Sequence, residues 1–357
     1  MPSRLNVRAM LPLCLESQLF SDCMGLKCNS STSICKMIKT SPTDPVNCLI
    51  NPVTTEDKLY LEKELVKEQP ELALIDIDNG KIVSASFKEI PPIIIPPATS
   101  GALQAQWGLD ILSCSKTTTN CQYWSKDTNQ WQTFPSLDSI HNRGRMSVIG
   151  DTPVVIGGHL AQPKDEHGIV EIFNRSAQEW ISVTSVTPPR RAHTLVVLND
   201  SMLMVIGGFS EEVGFLNSVK IFDLEEQTWN DMDDLPSPRS GMACGLVNLT
   251  YVLCIGGEAS GDLFNTAYGL DLALSEPKWE RKQSFDLDEP IAMGNIYQLR
   301  DHLFCMTFFT TSYNASPKLR RMKLNAGTME WDILDVISKS SVGQPLLYEL
   351  KGFQIQP

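Results

Sequence analysis

The sequence predicts an all-β protein made of several copies of one four-stranded sheet, packed radially. Two markers carry that prediction. Gly-Gly pairs stand at Gly157-Gly158, Gly207-Gly208 and Gly256-Gly257, and tryptophans stand at Trp131, Trp180, Trp229, Trp279 and Trp331, spaced 49, 49, 50 and 52 residues apart. Where both occur, the second glycine precedes the tryptophan by 22, 21 and 22 residues. Two markers that hold both period and phase mean one structural unit repeated.

The clearest copy shows why each element forms. His193 to Leu198 is an apolar run, Asn199-Asp200 a tight turn, and Met202 to Ile206 a second apolar run ended by Gly207-Gly208. A polar loop leads to Val219-Lys220-Ile221-Phe222-Asp223, which alternates as a strand does. Glu225 to Thr228 turns the chain, Trp229 opens the fourth strand, and Leu235-Pro236-Ser237-Pro238 ends it. Short runs rich in Val, Ile and Phe, separated by Asn, Asp, Gly and Pro, are strands joined by turns. The run before the glycines is apolar at nearly every position, so both of its faces are expected to be buried. A Gly-Gly pair lets the backbone leave such a strand with positive φ, or lets a neighbouring sheet approach closely. A tryptophan buries about 150–250 Å² and suits the gap between adjacent sheets. One sheet cannot bury two apolar faces alone; radial packing of several sheets can, and it leaves only short edges.

These motifs resemble the kelch repeat of β-propellers. The repeat stands here as Pro188-Pro189-Arg190-Arg191-Ala192-His193, Val205-Ile206-Gly207-Gly208, Ile221-Phe222-Asp223 and Trp229. The next copy has Pro238-Arg239-Ser240-Gly241, Cys254-Ile255-Gly256-Gly257, Leu270-Asp271 and Trp279. The resemblance covers residues 70–357. Leu74 to Ile82 copies the strand–turn–strand half of a unit around Asn79-Gly80, and Gly343 to Gln356 reads as the missing first half, with a Lys351-Gly352 turn. Joining the two halves removes the last open edge. The expectation is a six-bladed kelch-type β-propeller, residues 70–357, whose closing blade is shared by 70–90 and 341–357. A Cys-rich segment at 1–57 and a connector at 58–69 precede it, the charged stretch Lys58 to Lys67 reading as a short helix. Two blades depart from the pattern. The first whole blade has Trp107-Gly108 where Gly-Gly is expected, and Pro91, Pro92, Pro96 and Pro97 crowd its first strand. The fifth has Phe308-Phe309.

A net charge of −12 argues against a nucleic-acid surface. No apolar run reaches the ~18 residues of a membrane helix, so no membrane insertion is expected. Five of the 10 cysteines lie early, at Cys14, Cys23, Cys28, Cys35 and Cys48. That density resembles a small extracellular disulfide module; zinc is disfavoured, because the segment has no C-x-x-C pair and no histidine. Cys114 and Cys121 bracket a polar loop that a disulfide would clip. Cys244 and Cys254 flank a hairpin at Asn248-Leu249 and either pair across it or, with Cys305, pack as buried thiols. Sequons begin at Asn29, Asn174, Asn199, Asn248 and Asn314, three of them at turns able to carry a glycan. These features point to the extracellular or secretory-pathway space, with a cytoplasmic location as the alternative. Against the first, Ala9 to Leu15 is short for a leader and Glu16, Gln18 and Asp22 follow at once, so a secreted form would lack its true start here.

Nothing in the sequence carries catalysis. It has no G-x-S-x-G, H-E-x-x-H or Walker loop, and no cofactor or metal is expected. Copper oxidases resembling galactose oxidase share kelch-like blades, but His159 and His167, eight apart in one loop, are a weak ligand set. No residue here carries a resemblance to six-bladed sialic-acid epimerases, and the S-x-D-x-G-x-x-W turns of sialidases do not occur. Residues 1–70 are too short for the BTB domain of intracellular kelch adaptors, and their cysteines and prolines speak against an F-box. What remains is recognition of another protein. Arg143, Arg191 and Arg239 recur at spacings of 48 and 48, each just before the first strand of its blade. The kelch resemblance implies that arginines at this turn, with the loops after Gly-Gly, line the partner-binding mouth. On that reading Arg143, Arg191 and Arg239, with His159, Phe209 and Phe215 from those loops, form a rim able to hold an acidic peptide segment through bidentate pairs. The same arginines can instead simply brace neighbouring loops.

Overall fold

The computed structural model describes residues 103–108, 110–125, 127–128, 130–160, 165–299, 302–309, 318–324 and 330–336, together with the backbone of seven further strands. These strands are Met24–Asn29, Ile34–Lys39, Pro52–Thr55, Lys58–Leu61, Glu71–Asp76, Lys81–Ser84 and Leu346–Leu350. Cys14, Cys23, Cys48, Asn314, the four prolines at 91–97 and the Asn79-Gly80 and Lys351-Gly352 turns lie outside the described residues.

The chain divides into two compact units, residues 1–69 with 352–357 and residues 70–351. The first contains two antiparallel hairpins. In one, Met24–Asn29 pairs with Ile34–Lys39, and Cys28 stands directly opposite Cys35. In the other, Pro52–Thr55 pairs with Lys58–Leu61. The helix expected from Lys58 is therefore a strand over its first four residues. Leu59 and Leu61 alternate with charged and aromatic neighbours at period two, and a partner strand lies two residues upstream.

The second unit is all-β, with no α-helix among its described residues. Blade I is Leu103–Trp107, Asp110–Cys114, Cys121–Ser125 and Gln130–Phe134. Blade II is Arg145–Ile149, Thr152–Ile156, Ile169–Asn174 and Glu179–Ser185. Blade III is Thr194–Val197, Met202–Ile206, Val219–Asp223 and Thr228–Asp231. Blade IV is Ala243–Val247, Tyr251–Ile255, Ala267–Asp271 and Trp279–Arg281. Blade V is Ala292–Leu299, His302–Phe309, Lys318–Lys323 and Asp332–Val336. Each is an antiparallel meander, and the first strands of blades IV and V also pair in parallel at Ala243–Gly294 and Cys244–Asn295. A further sheet joins Leu346–Leu350 to Glu71–Asp76 and Lys81–Ser84.

The core lies between blades. In the second strand of blade III, Leu203 and Val205 pack with Val154 and Ile156 of blade II. The intervening Met204 and Ile206 pack with Cys244, Cys254 and Trp279 of blade IV. Alternate side chains of one strand thus serve opposite neighbours, which is why the run is apolar throughout and why all four are fully buried. The tryptophans close the outer part of the same gaps. The indole N–H groups of Trp180, Trp279 and Trp331 donate to the carbonyls of Pro135, Asp233 and Phe285 in the preceding repeat, at 3.0, 3.0 and 3.1 Å.

The glycine pairs meet both expectations at once. Gly207 and Gly208 have φ of 57° and 105°. A Cβ on Gly207 would stand 2.3 Å from the Arg239 carbonyl oxygen of the next blade. The second glycines, Gly158, Gly208 and Gly257, each donate an N–H at 2.8 Å to the following blade's turn, at Arg190, Arg239 and Ile291. Blade V lacks the pair, and its second strand runs eight residues to Phe309 where those of blades II to IV run five.

Blade I corrects a phase. Trp107-Gly108 is not the counterpart of Gly-Gly; it ends the first strand, and Gly108 turns the chain with φ of 63°. The second strand ends at Cys114. Its loop to the third strand is shorter than in the other blades, so counting back from Trp131 overshoots. Cys114 and Cys121 face each other across that short loop and are disulfide-bonded. Cys244 and Cys254, also directly opposed, are bonded too, which resolves the alternative left open by the sequence, while Cys305 is a buried free thiol. Burial lifts the Cys305 thiol to about 12.

Candidate interaction surface

In a meander the strand ends alternate. The Gly-Gly loops and the turns entering each first strand therefore share one end of the unit. The hairpin turns at Gly150-Asp151, Asn199-Asp200 and Asn248-Leu249 share the other, with Asn174 at a third-to-fourth strand turn. Here Asn174 and Asn199 each have a local structural task. The Asn174 side-chain oxygen accepts from the N–H groups of Ser176 and Ala177 at 3.0 and 3.1 Å, and that of Asn199 from Ser201 and Met202 at 2.9 Å each. Asn248 and Leu249 take φ of 50° and 64°, the two left-handed positions of a tight hairpin turn.

On the Gly-Gly end, the true phase of the entering turn is set by its backbone. Arg143, Ala192, Gly241 and Met293 have φ of 60°, 50°, 62° and 57°. Each of the last three donates its N–H to the carbonyl of the one before, at 2.8, 2.8 and 2.5 Å. Against that ladder the three arginines are not equivalent, which corrects the expectation of one rim of guanidiniums. Their spacing of 48 slips one residue per repeat, so they fill three successive positions of the turn. Arg143 takes the left-handed position and is exposed. Arg191 sits one place earlier, and Arg239 two. Arg239 is 3% exposed and braces its own blade, donating to the carbonyls of Gly256 and Thr266 at 2.9 and 3.3 Å. Its real counterpart is Arg190, fully buried, which donates to Gly207 and Ser218 carbonyls at 3.2 and 3.4 Å. Burial pushes Arg190 down to about 10.

In blade II the bracing position holds His141, which the sequence reading missed. Its Nδ1 lies 2.6 Å from the Gly157 carbonyl and its Nε2 3.0 Å from Glu171 Oε1. Both ring nitrogens thus face oxygen atoms. Glu171, fully buried, also accepts the N–H groups of Asp138 and Ser139 at 2.8 and 2.7 Å.

Four of the six expected rim residues do converge. His159 pairs with Glu166 across the first Gly-Gly loop, and Phe209 with Phe215 across the second. Arg191 bridges the two loops: it donates to Glu166 at 2.9 Å and Glu211 at 2.5 Å, and its guanidinium lies 4.6 Å over the Phe209 ring. The Glu211 N–H donates to the other Glu166 oxygen at 2.8 Å. Burial raises the Glu166 carboxyl and lowers His159, with Arg191 adding to the latter. His159 and His167 do not share a ligand set: the His167 Nε2 is held at 2.9 Å from the Ile140 carbonyl, and no metal-binding cluster occurs among the described residues.

The arrangement is that of a repeat scaffold, and the comparisons bear on its family and fold. The model of the KLHDC2/KLHL20/DRC7 kelch-repeats domain matches residues 144–343. The chain belongs to the kelch-repeat family. The solved structure of YjhT is similar to this kelch protein with a TM-score of 0.58 at 13% identity, covering 71% of this chain and 90% of that chain. At that identity the likeness speaks for the β-propeller-like fold alone. No curated protein matches the chain. Membership of the kelch family suggests a protein–protein interaction module, and no helix among the described residues is long and apolar enough to cross a membrane.

One pH dependence follows from this end of the kelch domain. His193 is fully buried with neither ring nitrogen hydrogen-bonded. Burial, then Arg190, Arg145 and His141, hold it well below its ordinary value. His159 and His167 are lowered too. Below ~6.5 the unfolded chain takes up protons that these folded histidines refuse. Their contribution is therefore complete above that pH and falls away as pH drops, for the fully buried His193 by up to ~1.4 kcal/mol per pH unit. Glu166, raised, works the opposite way, but only near and just above the ordinary carboxylate range. Urea midpoints are expected to fall from pH 7.5 to 5.5, and His193→Leu to flatten that fall. An unchanged slope in the variant would show that His193 does not titrate on unfolding.

Proposed function

We propose that this kelch domain is a six-bladed, non-enzymatic protein-interaction module of the secretory pathway, docking its partner on the Gly-Gly end. Its sixth blade combines the sheet of residues 71–84 with the strand 346–350, within a propeller spanning 70–357, and residues 1–57 form a Cys-rich segment joined through 58–69. The observation that carries the docking reading is the pair of adjoining loops at 159–166 and 209–215. They are locked together by Arg191 and present an exposed Val213, 61% accessible, and Leu160, 41% accessible. Rigid blades with decorated loops are how such scaffolds recognise partners. The cross-strand disulfides Cys114–Cys121 and Cys244–Cys254 support an oxidising compartment, with Asn29, Asn174, Asn199, Asn248 and Asn314 as glycan acceptors.

A photo-crosslinking residue at Val213 should give a discrete adduct with a partner protein, and one at Leu249 on the opposite end should not. Adducts from Leu249 alone would move the docking surface. For the compartment, intact mass before and after deglycosylation and reduction decides. Glycan at two or more sequons and few free thiols are expected. An unmodified mass with free thiols would favour the second reading, an intracellular kelch adaptor, which the structural tasks of Asn174 and Asn199 and the buried Cys305 thiol also suit.

A further inference from the structure

We infer that the partner seated on the two adjoining hairpins presents a basic segment with at least one aliphatic side chain, which rests on the docking reading above. The three Gly-Gly loops, 159–168, 209–217 and 258–265, contain six carboxylates against one lysine, Lys164, and no arginine. The cations at this end are largely used internally. Arg190 and Arg239 are buried against carbonyls, and Arg191 is taken by Glu166, Glu211 and the Phe209 ring. Arg143 alone of the rim arginines is exposed. His159, lowered by burial, adds no charge at neutral pH. Asp165, Glu212 and Asp262 are exposed, and no ion pair among the described residues reaches any of them. The formal charge balance of these loops is therefore negative, although the sequence suggested a row of arginines.

A cluster of acids alone would attract only counter-ions. Here two exposed aliphatic side chains stand in the same loops as the acids. Val213 stands exposed at the tip of the 209–215 hairpin, next in sequence to the exposed Glu212, and Phe209 and Phe215 of the same hairpin stack edge to face at 5.1 Å. Leu160 is exposed on the adjoining loop, next to Asp165, whose carbonyl accepts its N–H at 3.3 Å. An aliphatic side chain flanked by lysines or arginines matches both parts: it covers Val213 and Phe215 while the cations meet Glu212 and Asp165. Charge complementarity of this kind sets partner choice and association rate. The locked geometry of the two loops lowers the ordering cost of binding.

The test uses the full chain and three labelled short peptides, read by fluorescence anisotropy at physiological salt. One carries a leucine flanked by lysines and arginines, one replaces the cations with glutamate, and one replaces the leucine with serine. The first is expected to bind, and its Kd to rise by about tenfold on Glu212→Lys and again on Val213→Ser, the scale of a contact at an interface centre. Both residues are exposed, so folding is not at stake. Binding of the glutamate peptide with loss on Arg143→Glu would overturn the inference in favour of an acidic partner. Equal binding of the leucine and serine peptides would reduce it to unspecific attraction and overturn it equally, as would no binding. An adduct at Val213 with any of those outcomes would leave the docking end standing and only its partner chemistry refuted.

Discussion

Gly207→Val is expected to lower stability by about 3–5 kcal/mol, a large share of the ~5–15 kcal/mol that keeps a typical domain folded. Two independent costs combine. The backbone at Gly207 has φ of 57°, a region that costs a branched residue roughly 1–3 kcal/mol. The added Cβ would also lie 2.3 Å from the Arg239 carbonyl oxygen, so the turn of blade IV must withdraw. Withdrawal breaks the 2.8 Å bond from Gly208 to that same carbonyl and disturbs the buried Arg239. Gly214→Val is the control, since nothing lies within 4 Å of its Cβ position although its φ is 95°. A denaturant titration that gave equal losses for the two would mean that backbone strain, not the approach of the next blade, dictates glycine at 207.

Glu171→Ala is expected to cost a similar ~3–5 kcal/mol, because it removes the acceptor of the buried His141 ring and of two backbone N–H groups at once, each lost bond costing about 1–3 kcal/mol. The carboxylate satisfies the His141 ring and the N–H groups of Asp138 and Ser139, and the fully buried His141 ring has no water to turn to. Glu171→Gln keeps one acceptor oxygen and should lose about half as much. Both variants should loosen the turn that carries Arg143, so limited proteolysis is expected to cut first between residues 138 and 144. A loss below ~1 kcal/mol for the alanine variant would mean that the turn is held by its main-chain ladder alone.

The repeat was legible because its markers mark contacts every blade must make. Glycine at 157, 207 and 256 answers the approach of the next turn, and tryptophan at 180 and 279 fills the gap to the preceding sheet. Phase was legible only where loops keep one length. In blade I the short loop between Cys114 and Cys121 shifted the count, and Trp107-Gly108 took the place of the missing pair. The arginines show the limit more sharply. Their distances to the first glycine of their own blades are 14, 16 and 17 residues, so the slip was present in the sequence. Its meaning was hidden, because a guanidinium that braces a carbonyl and one that faces solvent look alike as letters. His141 was missed for the complementary reason: a different residue type fills the place of Arg190 and Arg239, and only the shared carbonyl partner reveals the equivalence. The pairing of Cys244 with Cys254 followed once the strand register was known, since only directly opposed positions bring two Cβ atoms close enough.

The ladder from Arg143 through Ala192 and Gly241 to Met293 is made entirely of main-chain atoms. Four chemically unlike residues occupy its rungs, and the bonds between them do not depend on which side chain each carries. The seam that joins blade to blade is thus separable from the exposed loops proposed as a docking surface. Substitutions at exposed loop positions such as Val213 can change the face of this end without touching the ladder, whereas those at Gly207 or the buried Arg239 cannot.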